Sequence, residues 1–378
     1  MKPASRTRLM MTTDAVGGVW TFSAGLARAL GAAGSEVLLV TIGPRPTDAQ
    51  RDTLRGHQGV RLTETDLLLE WQDPAGVDLS HAHTVLSAIA NRFAADLIHF
   101  NGYREASLDW KVPTIVVAHS CVNSWAFACR ESDAFAGSEW RVYTSNVRDG
   151  LCSADAWVAP TCSFRNLIAR HYGAPGTGLA IWNGVNGIGR GSEPKRPVIL
   201  SAGRIWDKAK NLSVLSSIAA EIDWPIRIAG SSSMDQSSCA VPTGGCECLG
   251  EISHDELLRE MQAAAIFVSP ALYEPFGLSV LEAARAGCAL LLSDIPTFRE
   301  LWEGAAVFFD PHSLEELGQY LRSLCGDEVR CARLQRAAAD RARRYPLQNT
   351  ASRYRELYES LLVTDGDRTR IEKGGVPA

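Results

Sequence analysis

No apolar run in this 378-residue chain approaches the roughly 20 residues that a membrane-spanning helix requires, so any membrane contact is expected to be peripheral. The opening Met1-Lys2-Pro3-Ala4-Ser5-Arg6 leads only into Leu9-Met10-Met11, too short for a signal h-region and without a cleavage site. It reads as a first strand. Basic excess is lacking as well: 38 Lys and Arg stand against 43 Asp and Glu, a net charge of −5, and no polybasic run occurs. A nucleic-acid partner, which needs a concentrated basic face, is therefore not expected. No G-x-G-x-x-G fingerprint is present, which argues against a dinucleotide-dependent oxidoreductase. Asp-x-Asp occurs only as Asp365-Gly366-Asp367, in a polar segment (364–378) expected to be disordered, so no metal is expected. Cysteine is not scarce, with ten residues, but without a secretory signal they fit a reducing cytoplasm better than a disulfide framework. Cys239, Cys246 and Cys248 match no common zinc spacing and have no well-placed histidine, so they are expected in a variable loop.

What is present is organised twice over. The length exceeds what one core serves well, and short apolar runs alternate with amphipathic ones in each half. The first half offers strands at Leu9–Thr12, Glu36–Ile42, Asp96–Phe100, Pro113–Ala118 and Ala156–Val158. After the polar passage 189–197, the second offers Val198–Ala202, Ile226–Ala229, Ala265–Ser269, Ala289–Ser293 and Ala306–Phe309. Such alternation predicts an α/β protein with two doubly wound parallel sheets, 1–185 and 186–346. Helices follow at Ser313–Leu324, Glu328–Arg344 and Leu347–Leu362. In such sheets, ligands bind beyond the carboxyl ends of the strands.

The chemistry-bearing residues fall there. Ser269 ends a strand, and Glu274-Pro275-Phe276-Gly277-Leu278-Ser279 turns into a helix carrying Glu282. The free N–H groups at that helix start suit a phosphate, and Gly277 leaves room for its approach. Glu282 lies about 7.5 Å further along, at roughly 1.5 Å per residue, within reach of a ribose. Two glutamates so placed equally suit a solvated face, and at first sight a glycosidase's carboxylate pair. Gly203-Arg204 closes another strand with Lys210 shortly after, a guanidinium fork and a point charge suited to a diphosphate. Lys208 competes with Lys210 for that role. In the first half, Asp14 and Gly17-Gly18 follow the first strand, and His119 ends another, where it can donate to a sugar hydroxyl or serve a structural role. Trp20, Phe22, Asn101, Tyr103, Trp125 and Phe127 offer a platform for a sugar or apolar group, or simple packing.

Taken together, Gly17-Gly18, His119-Ser120, Gly203-Arg204 with Lys210, and Glu274-x7-Glu282 resemble the family 4 retaining glycosyltransferases of the GT-B fold, from about residue 8 to 362. The likeness extends to Ala154–Thr161 and Asn183-Gly184-Val185; Trp182 and Asn186 stand where the family usually has Pro and Asp. It implies two Rossmann-like domains around a cleft, with the helix 347–362 crossing back to the first. By the same likeness Arg204 and Lys210 hold the diphosphate, Glu282 the ribose and Glu274 the sugar hydroxyls. Ile252, within Leu249-Gly250-Glu251-Ile252, borders the base, Gly18 approaches the distal phosphate, and His119 lies near the sugar. Asp14, Trp20, Asn101, Tyr103 and Trp125 fall on the acceptor side.

The expected activity is metal-independent, retaining transfer of a hexosyl group from a nucleotide sugar, UDP-linked by family frequency, to a sugar, lipid-linked or small-molecule acceptor. GDP- or ADP-sugars are the alternative donors. A non-catalytic nucleotide-sugar binder on the same scaffold is the alternative function. The expected setting is cytoplasmic, with possible peripheral contact at the inner membrane face.

Overall fold

The computed structural model describes residues 7–173, 178–187, 189, 191, 193–231 and 244–373. The chain divides into two compact units. The first holds the chain up to Ala126, Ser132–Asn183 and the chain from Leu347; the second holds Phe127–Glu131 and Gly184–Pro346. The division thus falls at 183/184, and a short piece of the first half belongs with the second unit.

In unit 1, β1 (Arg8–Thr13), β2 (Glu36–Thr41), β3 (Val60–Glu64), β4 (Leu97–Phe100), β5 (Thr114–Val117), β6 (Ala156–Ala159) and β7 (Leu179–Ala180) form one parallel sheet. Its order is β3-β2-β1-β4-β5-β6-β7. Leu9 is in register with Val37 on one side and Leu97 on the other. All three are buried, as continuous apolar strands covered on both faces require. The helices along this stretch are α1 (Gly18–Ala32), α2 (Asp48–Asp52), α3 (Leu79–Phe93), α4 (Val122–Cys129), α5 (Ser138–Ser153) and α6 (Cys162–Tyr172).

In unit 2, β8 (Arg196–Ala202), β9 (Ile226–Ala229), β10 (Glu247–Gly250), β11 (Ala264–Ser269), β12 (Ala289–Ser293) and β13 (Val307–Phe309) form a second parallel sheet, ordered β10-β9-β8-β11-β12-β13. Its helices are α7 (Ser213–Ile218), α8 (His254–Ala263), α9 (Leu278–Arg285), α10 (Pro296–Trp302), α11 (Leu314–Cys325) and α12 (Glu328–Ala342). Strand alternation sends Leu200, Phe267, Leu290 and Leu292 into one core and Ile199, Ile266, Val268 and Leu291 into another. Each sheet therefore has two buried faces and a point where strand order reverses: between β1 and β4, and between β8 and β11.

The last helix, α13 (Leu347–Lys373), returns to unit 1, where Tyr354 and Tyr358 are buried. It outruns the expected end at Leu362 and takes in Asp365-Gly366-Asp367, which the sequence assigns to a disordered tail. No proline interrupts this run before Pro377, and paired glycines come only at Gly374-Gly375. Residues 374–378, and Cys239, lie outside the described residues. Cys246 is half-buried against the second core, and Cys248 is exposed on β10. No described helix is long and apolar enough to cross a membrane.

Candidate functional site

The reversal point of the second sheet is flanked by the loops leaving β8 and β11, which carry Arg204 with Lys210 and Glu274 respectively. Lys210 Nζ lies 2.5 Å from Glu274 Oε2, with the side chains 22% and 14% exposed. The two loops are tied together by a backbone bond and a side-chain amide. Leu272 N–H donates to Ala209 O (2.8 Å), and Asn211 Nδ2 donates to Pro270 O (3.0 Å). The Glu274 carbonyl accepts from Thr297 Oγ1 of α10 at 2.6 Å. Lys208, by contrast, pairs with Glu131 and is half-exposed, so Lys210 is the lysine brought to Glu274.

Arg204 donates from Nη2 to Asp207 Oδ2 at 2.6 Å. Asp207 is itself buried, and its Oδ1 accepts from Ala209 N–H at 3.0 Å, capping the 3₁₀ turn Lys208–Lys210. The guanidinium lies 5.4 Å from the Trp206 ring, and its Nε is enclosed without a hydrogen-bond partner among the described residues. A cation anchored through Nη2, with about a third of its side chain still exposed (34%), is equipped to hold an anion.

Gly277 precedes α9 with φ +85°, where a Cβ would stand 3.0 Å from the Phe298 ring and 3.3 Å from Glu274 Cγ. No side chain caps this helix start, so its first N–H groups, those of Leu278 and Ser279 included, are available to an anion. Glu282, one of the few buried carboxylates among the described residues of this unit, accepts at Oε1 from His254 Nε2 at 2.8 Å. His254 was not singled out from the sequence. The signal was Ser253-x-x-Glu256, a capping box that starts α8 at His254 and so fixes it opposite α9. Ile252 is half-buried just beyond the carboxyl end of β10.

In unit 1 the reversal point is bridged by one side chain. Asn101, directly after β4, donates from its backbone N–H to Thr12 Oγ1 (3.0 Å) and from Nδ2 to Thr12 O (2.7 Å) and Ser23 Oγ (3.1 Å). Its Oδ1 lies 2.7 Å from His119 Nε2 and 3.0 Å from His99 Nε2. His99 Nδ1 lies 2.7 Å from the Tyr358 hydroxyl of α13, and Phe22 packs edge-on against His119 at 4.7 Å. Burial pushes His99 down to about 3, with His119 adding to the shift against the bond to Asn101, and burial alone pushes His119 down to about 3. Gly17 and Gly18 are exposed at the uncapped start of α1, and Asp14 Oδ1 accepts from Val16 N–H at 2.7 Å, folding the loop before them.

The expected aromatic platform is corrected. Trp20 (3% exposed), Phe22 (3%) and Tyr103 (1%) lie in the core, because the inner face of α1 and the 3₁₀ turn after β4 pack on the sheet. The Tyr103 hydroxyl donates to Ser120 O at 2.9 Å. Trp125 keeps partial exposure, packed edge-on against Phe135. Asn101, expected to face an acceptor, spends its amide on Thr12, Ser23 and the two histidines. The Phe276 side chain, expected at the donor, is 4% exposed and packs against Tyr345, so only its backbone is open to that role.

Two family models match the chain: "Glycosyltransferase Family 4" over residues 16–186 and "Glycosyl transferases group 1" over residues 189–341. The serotype-specific mannosyltransferase WbdA of Escherichia coli is 32% identical over 115 residues, 30% of this chain and 14% of that protein. The chain thus matches about a seventh of that relative's length. Alpha-maltose-1-phosphate synthase of Mycolicibacterium smegmatis is 25% identical over 306 residues, covering 68% of this chain and 78% of that one. Among solved structures, sucrose-phosphate synthase from Thermosynechococcus elongatus superposes with a TM-score of 0.77 at 18% identity, covering 95% of this chain and 100% of that one. Anabaena HepE in complex with UDP-glucose gives 0.73 at 15% identity, covering 94% and 100%. At these identities the structures establish the shared fold, two Rossmann-like α/β domains of the GT-B kind.

Proposed function

Since the chain belongs to the group 1 glycosyltransferases of family 4, we propose that it transfers a hexosyl unit from a UDP-sugar to an acceptor hydroxyl, with retention and without a metal. The observation that carries this reading is the convergence of Arg204, Lys210, Glu274 and the uncapped start of α9 at one sheet edge. As the glycosidic bond breaks, negative charge gathers on the departing diphosphate. Arg204, Lys210 and the α9 amides meet that charge from fixed positions, the role a metal plays in other transferases. Glu274, held by Lys210 and by Thr297, accepts from sugar hydroxyls, and Glu282 accepts from the ribose. The leaving phosphate takes the acceptor's proton on the same face, so no protein nucleophile is needed. By the family likeness, His119 is a hydrogen-bond partner for the substrate. The acceptor is a sugar, a lipid-linked sugar or a small molecule. The setting is the cytoplasm, with peripheral visits to the membrane.

The test is a thermal-shift screen of UDP-, GDP- and ADP-sugars in EDTA, followed by donor hydrolysis and transfer with NMR assignment of the product anomer. A donor that binds only the folded state raises the melting temperature. Stabilisation by a UDP-sugar and a product keeping the donor's anomeric configuration are expected. Activity lost to EDTA, or an inverted product, overturns the mechanism; preference for GDP- or ADP-sugars overturns the donor assignment alone.

A further inference from the structure

The amide of Asn101 is oriented without ambiguity. Its nitrogen faces the Thr12 carbonyl at 2.7 Å, an atom that can only accept, so Oδ1 is the atom turned to the histidines. That oxygen can only accept as well. Both His119 Nε2, at 2.7 Å, and His99 Nε2, at 3.0 Å, must therefore carry a proton. His99 Nδ1 is then the acceptor for the Tyr358 hydroxyl. His119 Nδ1 has no hydrogen-bond partner among the described residues and is not an enclosed atom.

We propose that Asn101 is a positioning residue that locks His119 as a neutral imidazole with its proton on Nε2, so that His119 meets substrate through Nδ1 as a hydrogen-bond acceptor. The ligand group this arrangement takes is a hydroxyl, which donates, and not a phosphate oxygen, which would need a donor from the ring. This rests on the transferase reading above for the identity of the ligand, but not for the state of the ring. The groups facing His119 are Asn101, the Phe22 ring of α1 and, through the shared oxygen, His99, none of them a carboxylate. Burial without a counter-charge favours the neutral ring at working pH, consistent with its downward shift to about 3. His99 and Tyr358 extend the lock to α13, since the hydroxyl donated to His99 Nδ1 keeps the His99 proton on Nε2, which in turn occupies Asn101.

The experiment is long-range 1H–15N spectroscopy of the full-length protein with 15N-histidine, the eight histidines being assigned with His99→Gln and His119→Gln variants. Neutral, Nε2-protonated patterns for both rings from pH 8 to 5.5 are expected. An Nδ1-protonated His119, or one titrating within that range, overturns the proposal without touching the transferase assignment, which stands or falls on transfer itself. In Asn101→Asp, a carboxylate replaces the neutral acceptor, and an imidazolium signal should emerge below neutrality. That variant should also gain a pH-dependent limb in kcat/KM that the wild type lacks, about tenfold per pH unit on the protonated side. An Asn101→Asp profile parallel to the wild type over this range overturns the positioning role.

Discussion

Lys210 and Glu274 approach to 2.5 Å across the reversal point of the second sheet, although 64 residues of sequence separate them. Each neutralises the other, and both side chains are largely enclosed. On the proposed function, a bound diphosphate sugar gives the lysine a second anion and turns the carboxylate to hydroxyls. Either Lys210→Ala or Glu274→Ala removes a charge-assisted bond worth about 1.5–3 kcal/mol, hence a roughly 10- to 150-fold loss in kcat/KM. The double variant should lose less than the product of the two, because the partners are coupled. Initial-rate kinetics of the folded variants over a range of donor concentrations check this, and independent losses would show that the pair is not a functional unit.

Asp207 anchors Arg204 at 2.6 Å and caps the 3₁₀ turn carrying Lys210. Asp207→Asn keeps an oxygen for the cap but weakens the hold on the guanidinium. The expected result is a drop in kcat of about tenfold with a melting temperature within a few degrees of wild type. A collapse in stability with unchanged turnover of the folded fraction would assign Asp207 to folding alone.

Gly277 combines a left-handed backbone with close neighbours, its would-be Cβ lying 3.0 Å from Phe298 and 3.3 Å from Glu274 Cγ. Gly277→Ala is expected to destabilise unit 2 by about 1–3 kcal/mol through backbone strain, and to displace Glu274 as well. Urea unfolding gives the first effect and the donor KM the second. Full stability in the variant would mean that the loop relaxes freely.

These sites were legible to different depths. β9 and β12 match the expected ranges residue for residue: β12 through the unbroken apolar run Ala289–Leu292, β9 through Ile226, Ile228 and Ala229, which stay buried around the single polar Arg227. The edge strands β3, β7 and β10 were missed. β3 mixes Arg61, Thr63 and Glu64 with its apolar residues, β7 has two residues, and β10 is mostly exposed, so none leaves an apolar signature. The motif residues around Glu274 announced themselves through strand-end position. Their partners Asp207 and His254 did not: Asp207 pairs with Arg204 through the local fold of one loop, and His254 reaches Glu282 only because α8 packs beside α9. Asn101 is expected on the acceptor side because it follows a strand end. Only the adjacency of β1 and β4 shows that its amide is already spent.

Glu70 accepts at Oε2 from the backbone N–H groups of Tyr103 (3.2 Å) and Arg104 (3.3 Å). Burial and then the neighbouring Glu105 push its carboxyl well above the usual carboxylate range, against the pull of those bonds and of Arg104. A pKa raised on folding means that the native state holds the proton longer. The stability it contributes is complete below the unfolded pKa and is lost as pH rises through the folded one. Glu70→Gln cannot ionise, so it should match the wild type near pH 4 and exceed it at pH 8.5 in urea midpoint. A midpoint gap that does not widen with pH would place the charge on Glu70 throughout.

His99 and His119 have the opposite sign. An imidazole whose pKa falls on folding, here from an ordinary 6.5 to about 3, binds fewer protons in the native state than in the unfolded chain. The stability each permits is complete above about pH 6.5 and is lost as pH falls towards 3, at about 1.4 kcal/mol per pH unit per residue. Carboxylates protonate in the lower part of the same window, so the wild-type curve alone does not isolate the pair. His119→Gln does, because it removes one titrating ring while leaving the carboxylates in place. Between pH 6.5 and 5 the slope of unfolding free energy against pH should be shallower in this variant by about 1.4 kcal/mol per unit, and His99→Gln should behave alike. Asn101→Asp should flatten the slope further, since a carboxylate between the rings lets the native state accept a proton. Parallel slopes for wild type and His119→Gln would show that the ring is protonated in the native state and that Asn101 does not hold it neutral.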